Sequence, residues 1–341
     1  MTIKNEKRIA VGVIGTGSMG TRHAVNIHRL VDGAFTSAVY DLDQSHLANA
    51  SALCDQAEIF SDPYELIKST KVDALLIASP DDTHANLTLA CLLAGKPVLC
   101  EKPLAISLVE AEKVVQAEVD LARRLVSVGF MRRFDPQHAA LKQAMLSGEL
   151  GQPLLWKGVH RNASSAYGTT GATILTNSAG HDIDSARFLL EQEVLTVNVQ
   201  GIKTRPELHD DTRDLMIVKM TMSNNCLAIA EVFVNADYGY EVSAEVVCQY
   251  GTAITQQPDK IMLRQKSHRG FFVSSDWLAP FEEAYVVEVR EWIESLQQER
   301  PFSGASAWDG YVTMAVTAAC IQSLHNGKDV AVELMQKAEM Y

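Results

Sequence analysis

Along the first 130 or so positions, apolar residues fall in short unbroken runs separated by segments with helical spacing. The runs are Ile9-Ala-Val-Gly-Val-Ile14, Ala34 to Tyr40, Ala74 to Ala78, Val98 to Cys100 and Leu125 to Val128. Runs of this kind predict strands buried on both faces. Between them, Arg22 to Leu30, His84 to Ala94 and Leu108 to Ala122 read as helices. The alternation predicts a parallel sheet wound on both faces. Pro136 to Ser147 reads as a further helix, and Gly148 to Pro153 is a turn-rich break. Beyond it the pattern changes to longer β-type segments: Leu154 to His160, Val194 to Lys203, Asp214 to Met222, Cys226 to Asn235 and Glu241 to Gln249. Most lack intervening helices, which predicts a largely antiparallel sheet. Gly180 to Leu190 is the clear helix among them, and Phe281 to Gln298 and Trp308 to His325 return to helix. No internal repeat or low-complexity stretch interrupts the pattern.

The first strand runs into Gly15-Thr16-Gly17-Ser18-Met19-Gly20 and then into a helix. In such a turn Gly15 permits the tight reversal, Gly17 lets backbone approach a pyrophosphate, and Gly20 allows close helix–strand packing. The helix N-terminus offers free N–H groups to the phosphates. The second strand ends at Asp41, about twenty residues on, where a ribose-binding acid belongs. Asp41 would accept ribose hydroxyls of NAD and repel the 2′-phosphate of NADP. Asp43 adds a second negative charge, and no Arg or Lys follows in that loop. The expected fold is therefore α/β plus α+β: an N-terminal Rossmann dinucleotide-binding domain over 1–125, then a C-terminal α/β domain over 126–341. The second domain is expected to rest on a mostly antiparallel sheet and to face the substrate.

Composition narrows the function classes. A chain of 341 residues that is 47% hydrophobic and 21% charged can bury two sizeable cores. A net charge of −12 with no basic stripe speaks against a nucleic-acid partner and against an anionic membrane surface. No run approaches the length of a transmembrane helix, and the polar start Met1 to Arg8 does not resemble a signal peptide. Six scattered cysteines without C-x-x-C spacing point to reduced thiols and a cytoplasmic location. The histidines show no metal-ligand spacing, so no metal is expected.

The chemistry is expected at the carboxyl ends of the parallel strands. Ser79-Pro80-Asp-Asp-Thr-His84 follows one strand and opens a helix. Ala94-Gly-Lys-Pro-Val-Leu-Cys-Glu101-Lys102-Pro103-Leu-Ala105 carries a lysine fixed by proline at the exit of the next. Ser79, Pro80, His84, Glu101 and Lys102 are assigned to the cofactor's surroundings, with a merely local role for His84 left open. Asn177-Ser-Ala-Gly-His181-Asp-Ile-Asp184 carries a histidine into the helix of the second domain. The expected reaction takes a secondary alcohol. His181 accepts its proton, hydride leaves for NAD⁺, and Lys102 hydrogen-bonds the oxygen as it becomes carbonyl. Asp184 shares a helix face with His181 and could orient it or act structurally.

On these residues the chain resembles the glucose–fructose oxidoreductase/inositol dehydrogenase (Gfo/Idh/MocA) family. The likeness extends through Val11 to Gly17, Ala94 to Ala105, Val128-Gly-Phe-Met-Arg-Arg-Phe134, His160-Arg-Asn162, His181 to Asp184, Tyr238-Gly-Tyr240 and Ala307-Trp-Asp-Gly-Tyr311. The resemblance implies a Rossmann domain plus an open-sheet domain paired into homodimers or homotetramers. It implies catalytic positions at Lys102 and His181, and a substrate pocket lined by Arg132, His160, Asn162 and Tyr240. It further implies hydride transfer between a cyclic polyol, myo-inositol or an isomer, and NAD. Four residues before the catalytic histidine the inositol-acting members carry an aspartate, where this chain has Asn177. The amide keeps hydrogen-bonding capacity but not charge. A charge-assisted bond is worth about 1.5–3 kcal/mol against about 1 for a neutral one. Asn177 is therefore expected to read substrate hydroxyls differently, or else to cap the helix carrying His181. Two further readings stand beside the polyol one: a sugar or glycoside dehydrogenase or keto-sugar reductase of the same family, and a cofactor-binding regulator without catalysis.

Overall fold

The structure, a computed structural model, describes residues 8–165, 168–255, 262–271 and 273–341. The N-terminal stretch 1–7, and residues 166 and 167 of the polar segment 164–171, lie outside the described residues. The chain divides into two compact units. One comprises Met1–Phe134, Ala284–Val312 and Gln336–Tyr341, and the other Asp135–Glu283 and Thr313–Met335.

The first unit follows the expected alternation. Its order is β1 (Ile9–Ile14), α1 (Ser18–Leu30), β2 (Ala34–Tyr40), α2 (Gln44–Leu53), β3 (Glu58–Ile59), α3 (Pro63–Lys68), β4 (Ala74–Ile77), α4 (His84–Leu93), β5 (Val98–Glu101), α5 (Leu108–Leu121) and β6 (Val126–Gly129). The strands β6-β5-β4-β1-β2-β3 lie side by side and are all parallel. The order reverses between β1 and β4, and a crevice outside the carboxyl ends of the strands at such a point is where α/β sheets bind ligands. The central strands β1 and β4 are buried along nearly their whole length, as continuous apolar runs demand.

The single expected boundary at 125/126 does not describe this unit. Val126–Gly129 pairs with β5 inside the first sheet, and Ala305–Ser306 adds an antiparallel edge strand to it. The helix Glu282–Gln297 sends Val289, Trp292 and Ile293 into the core formed by Val11, Val13, Ile27, Leu76 and Leu99. A two-residue edge strand and a returning helix leave no mark in the hydrophobic pattern of the first 125 positions.

The second unit has α6 (Pro136–Leu146), β7 (Pro153–Arg161), α7 (Gly171–Ile174) and α8 (Gly180–Leu190). The strands β8 (Val194–Ile202), β9 (Leu215–Met222), β10 (Leu227–Phe233), β11 (Glu241–Cys248) and β12 (Thr252–Ile254) follow. Its sheet runs β12-β11-β7-β10-β9-β8, with Val330–Ala331 at the far edge. Every pairing is antiparallel except β7 with β10. A parallel pair needs a long crossover, which the helices and β8–β9 supply here. Met216, Val218, Met220, Ala228, Ala230 and Val232 alternate into the core, and their neighbours face outward.

Candidate functional site

Three loops leave the adjacent strands β1, β4 and β5 at their carboxyl ends. Gly15 sits at φ +87°, and a Cβ there would stand 2.4 Å from the Ser79 amide nitrogen. Only glycine lets the first loop lie against the second. Gly20 is equally constrained, since a Cβ would meet the Gly15 carbonyl oxygen at 1.8 Å. Gly17 differs: among the described residues, no atom beyond its own neighbours in the chain lies within 4 Å of where its Cβ would stand. It is the N-cap of α1, with no side-chain cap and no acid in the first turn. Ser18 is exposed and Met19 half-buried beside it. The helix N-terminus thus opens onto free space with its N–H groups uncapped, which fits a pyrophosphate.

Asp41, at the end of β2, accepts hydrogen bonds from the amide and hydroxyl of buried Thr16 on one oxygen and from the Asp43 amide (2.8 Å) on the other. A carboxylate offers about four acceptor positions, so capacity remains for a ribose hydroxyl. Asp43 itself caps α2 through Ser45 and His46.

After β4, Ser79 Oγ bonds Thr83 Oγ1 at 2.6 Å, closing the turn that carries Pro80. His84 is buried, with Nδ1 2.7 Å from the Pro103 carbonyl oxygen and Nε2 2.9 Å from that of Ser79. Carbonyls only accept, so the ring donates from both nitrogens. Burial acts to lower its pKa. The neighbouring Cys100 sulfur and the two carbonyls outweigh that and push it up to about 10. His84 therefore clamps two loops together through backbone, the local role, and its ring is turned to the protein.

Glu101 ends β5. Its carboxylate lies 2.7 Å from Nε2 of buried His23 on α1 and also accepts the Lys102 amide at 3.2 Å. Burial acts to raise its pKa, but the His23 bond and charge, joined by Lys102 and His84, together outweigh that and hold it below the usual carboxylate range. Lys102 is half-buried. Burial pushes its ammonium below the usual lysine range, Glu101 and Asp81 act against this, and buried Arg132 on the turn Met131–Phe134 adds to it. A lysine so lowered is suited to proton relay. His23 is a supporting residue that spacing alone could not reveal. Gly310 is another: a Cβ there would meet Leu104 Cβ at 3.0 Å, so the start of the helix Ala307–Asn326 packs against the segment carrying Lys102.

In the second unit, α7, a π-helical turn Leu175–Ala179 and α8 follow one another without a break. The cap is Thr170, whose hydroxyl accepts from the Thr173 amide. Asn177 lies within the π turn, so it does not cap the helix as one reading had it. Its Nδ2 donates to the Thr173 carbonyl oxygen at 3.1 Å. Such turns recur at functional sites. His181 follows in the first turn of α8 and is half-buried. Lys142 secures the other end of that helix by donating to the Phe188 carbonyl oxygen at 2.7 Å and pairing with Glu191 at 2.9 Å. Asp184 is buried in the helix.

His160, near the end of β7, brings three of the expected residues together. Its ring stands edge-on to His181 (centroids 6.4 Å) and to Tyr240 (6.1 Å). Gly239, at φ +145°, precedes Tyr240, and a Cβ there would strike Val273. Asn162 lies two residues beyond His160, with its amide held by the Phe233 carbonyl at 2.8 Å. Lys102, Arg132 and the glycine loop thus belong to one unit, and Asn177, His181, His160, Asn162 and Tyr240 to the other.

Residues 9–130 match the family model described as an oxidoreductase family with an NAD-binding Rossmann fold, and residues 138–254 match the GFO/IDH/MocA C-terminal domain. The chain belongs to the GFO/IDH/MocA oxidoreductase family. Among its relatives in that family is the inositol 2-dehydrogenase of Rubrobacter xylanophilus, 45% identical across 99% of this chain and 97% of that protein. The inositol 2-dehydrogenase/D-chiro-inositol 3-dehydrogenase of Shouchella clausii is 36% identical across 98% of this chain and 96% of its own length. Among solved structures, the myo-inositol dehydrogenase from Lactobacillus casei in complex with NAD(H) and myo-inositol superposes with a TM-score of 0.93 at 29% identity. That match covers 98% of this chain and 99% of the other. The protein is an NAD-binding oxidoreductase of this family, and its glycine loop, uncapped α1 and Asp41 suit that cofactor. Among the described residues no helix is long and apolar enough to cross a membrane, and no group of three or more potential metal ligands occurs.

Proposed function

We propose that this protein is an NAD-dependent dehydrogenase that oxidises a secondary alcohol of a cyclic polyol, myo-inositol or an isomer. Bound NAD supplies the hydride acceptor. Lys102 donates a hydrogen bond to the substrate oxygen and stabilises negative charge developing on it. His181 takes the hydroxyl proton, and Arg132, His160, Asn162, Tyr240 and Asn177 bind and orient the ring. The observation that carries the reading is Lys102 itself. It is a half-buried ammonium lowered by burial, at the end of a strand next to the dinucleotide loop, with Glu101 anchored by His23. The names of the relatives add support, since they act on myo- and D-chiro-inositol.

The outward face of the second sheet supports assembly into homodimers or homotetramers. Val159, Ile217, Ile229 and Phe233 lie there beside Lys157, Arg161, Lys219 and Glu231, at neighbouring register positions. The six buried thiols, none in a disulfide, support a reducing cytoplasmic setting. The test is NAD reduction against a panel of inositols, pyranoses and glycosides. Turnover of an inositol with little on pyranoses supports the proposal. Preference for a pyranose or glycoside favours the sugar-dehydrogenase reading, and silence on all of them a regulator.

A further inference from the structure

Asp182 is almost wholly buried, at 1% exposure, and its Oδ2 lies 2.9 Å from Nδ1 of His160, itself 5% exposed. The pair joins the helix carrying His181 to the strand β7. Adjacent helical residues point about 100° apart, so while His181 faces one way Asp182 faces the sheet. A carboxylate can only accept, which places the proton of the neutral His160 ring on Nδ1 and leaves the lone pair on Nε2. Asn162 stands two residues along the same extended segment, the spacing that returns a side chain to one face. Its Oδ1 is buried and accepts no hydrogen bond among the described residues.

We propose that Asp182 is a positioning residue that fixes His160 as the Nδ1–H tautomer. His160 Nε2 and Asn162 Oδ1 then form a pair of acceptors for two hydroxyl donors of the substrate ring. This rests on the polyol reading and deepens it: two acceptors side by side select a ring bearing neighbouring hydroxyls over one bearing carbonyl or carboxylate groups. A structural role alone is a weaker account, because a buried ionisable pair is commonly no more stabilising than a packed apolar one. In the wrong tautomer Nε2 would present a proton to a substrate hydroxyl. An amide substituted for a carboxylate behind a histidine produces that fault in serine proteases.

The first test is ¹⁵N NMR of the imidazole rings in the folded wild-type protein with no substrate, at a pH above the ordinary histidine range. His160 is assigned by its loss in His160→Gln. A protonated Nδ1 and bare Nε2 are expected, and a protonated Nε2 overturns the proposal. The second is a double-mutant cycle of Asp182→Asn and His160→Gln on the preferred polyol. Asp182→Asn should lower kcat/KM for the polyol at least about tenfold while leaving the KM for NAD unchanged. It should add nothing in the His160→Gln background. Independent, additive losses overturn it. If Asp182→Asn does not fold, the ring tautomer decides alone. If no polyol is turned over but the tautomer is as stated, the polyol reading fails and the positioning stands.

Discussion

Asn177 sits in the π turn before α8 and donates from Nδ2 to the Thr173 carbonyl oxygen. A carboxylate cannot donate that bond. Asn177→Asp should therefore cost about 1 kcal/mol of stability and turn the side chain away from the helix backbone. We expect a changed ranking among inositol isomers, read by steady-state kinetics, together with a lower thermal midpoint. An unchanged ranking would show that Asn177 serves only the helix. Asn177 is legible in the sequence by its place four residues before His181, and Asp41 as an acid at the end of β2, but the π turn around the one and the two bonds from Thr16 to the other are not, because both depend on backbone geometry. Asp41→Ser should weaken NAD binding and relax the preference for NAD over NADP. Affinity for both cofactors, measured on the variant, checks this, and an unaltered ratio removes Asp41 from the discrimination.

At the scale of elements, the strong signals were the buried strands β1, β4 and β5 and the alternating strands β8 to β10. Each imposes a period that survives in the sequence. The elements without such a mark were short, such as β3 and Ala305–Ser306, or depended on partners distant in the chain. The clamp made by His84 belongs to this second kind: its two acceptors come from Ser79 and Pro103, on different loops. Its consequence is a pH dependence. The folded pKa, about 10, exceeds the ordinary value of 6.5, so the stability contributed by this ring is fully present below 6.5. It is lost as pH rises through about 10. The thermal midpoint of the wild-type protein should fall more steeply between these values than that of His84→Gln. Parallel slopes would mean that the ring is not a cation in the folded state.

For the whole molecule, the two-part architecture was legible because parallel and antiparallel sheets need different patterns. The return of residues 284–312 to the first unit was not, because its contacts with Val11, Leu76 and Leu99 span most of the chain. The outward sheet face carries a prediction at this scale. Ile217→Glu places a carboxylate opposite Glu231, diagonal to Ile229 and Phe233, and should shift the proposed oligomer towards monomer, as read by light scattering after gel filtration. An unchanged mass would remove this face from the proposed assembly. The proposed roles of Lys102 and His181 in the oxidation meet their test in NAD reduction with the preferred cyclic polyol by Lys102→Ala and His181→Ala, measured alongside NAD affinity. Each variant should lose at least about 10²-fold in turnover while binding NAD nearly as the wild type does. Near-normal turnover in His181→Ala would contradict the account, because another group would then be taking the proton.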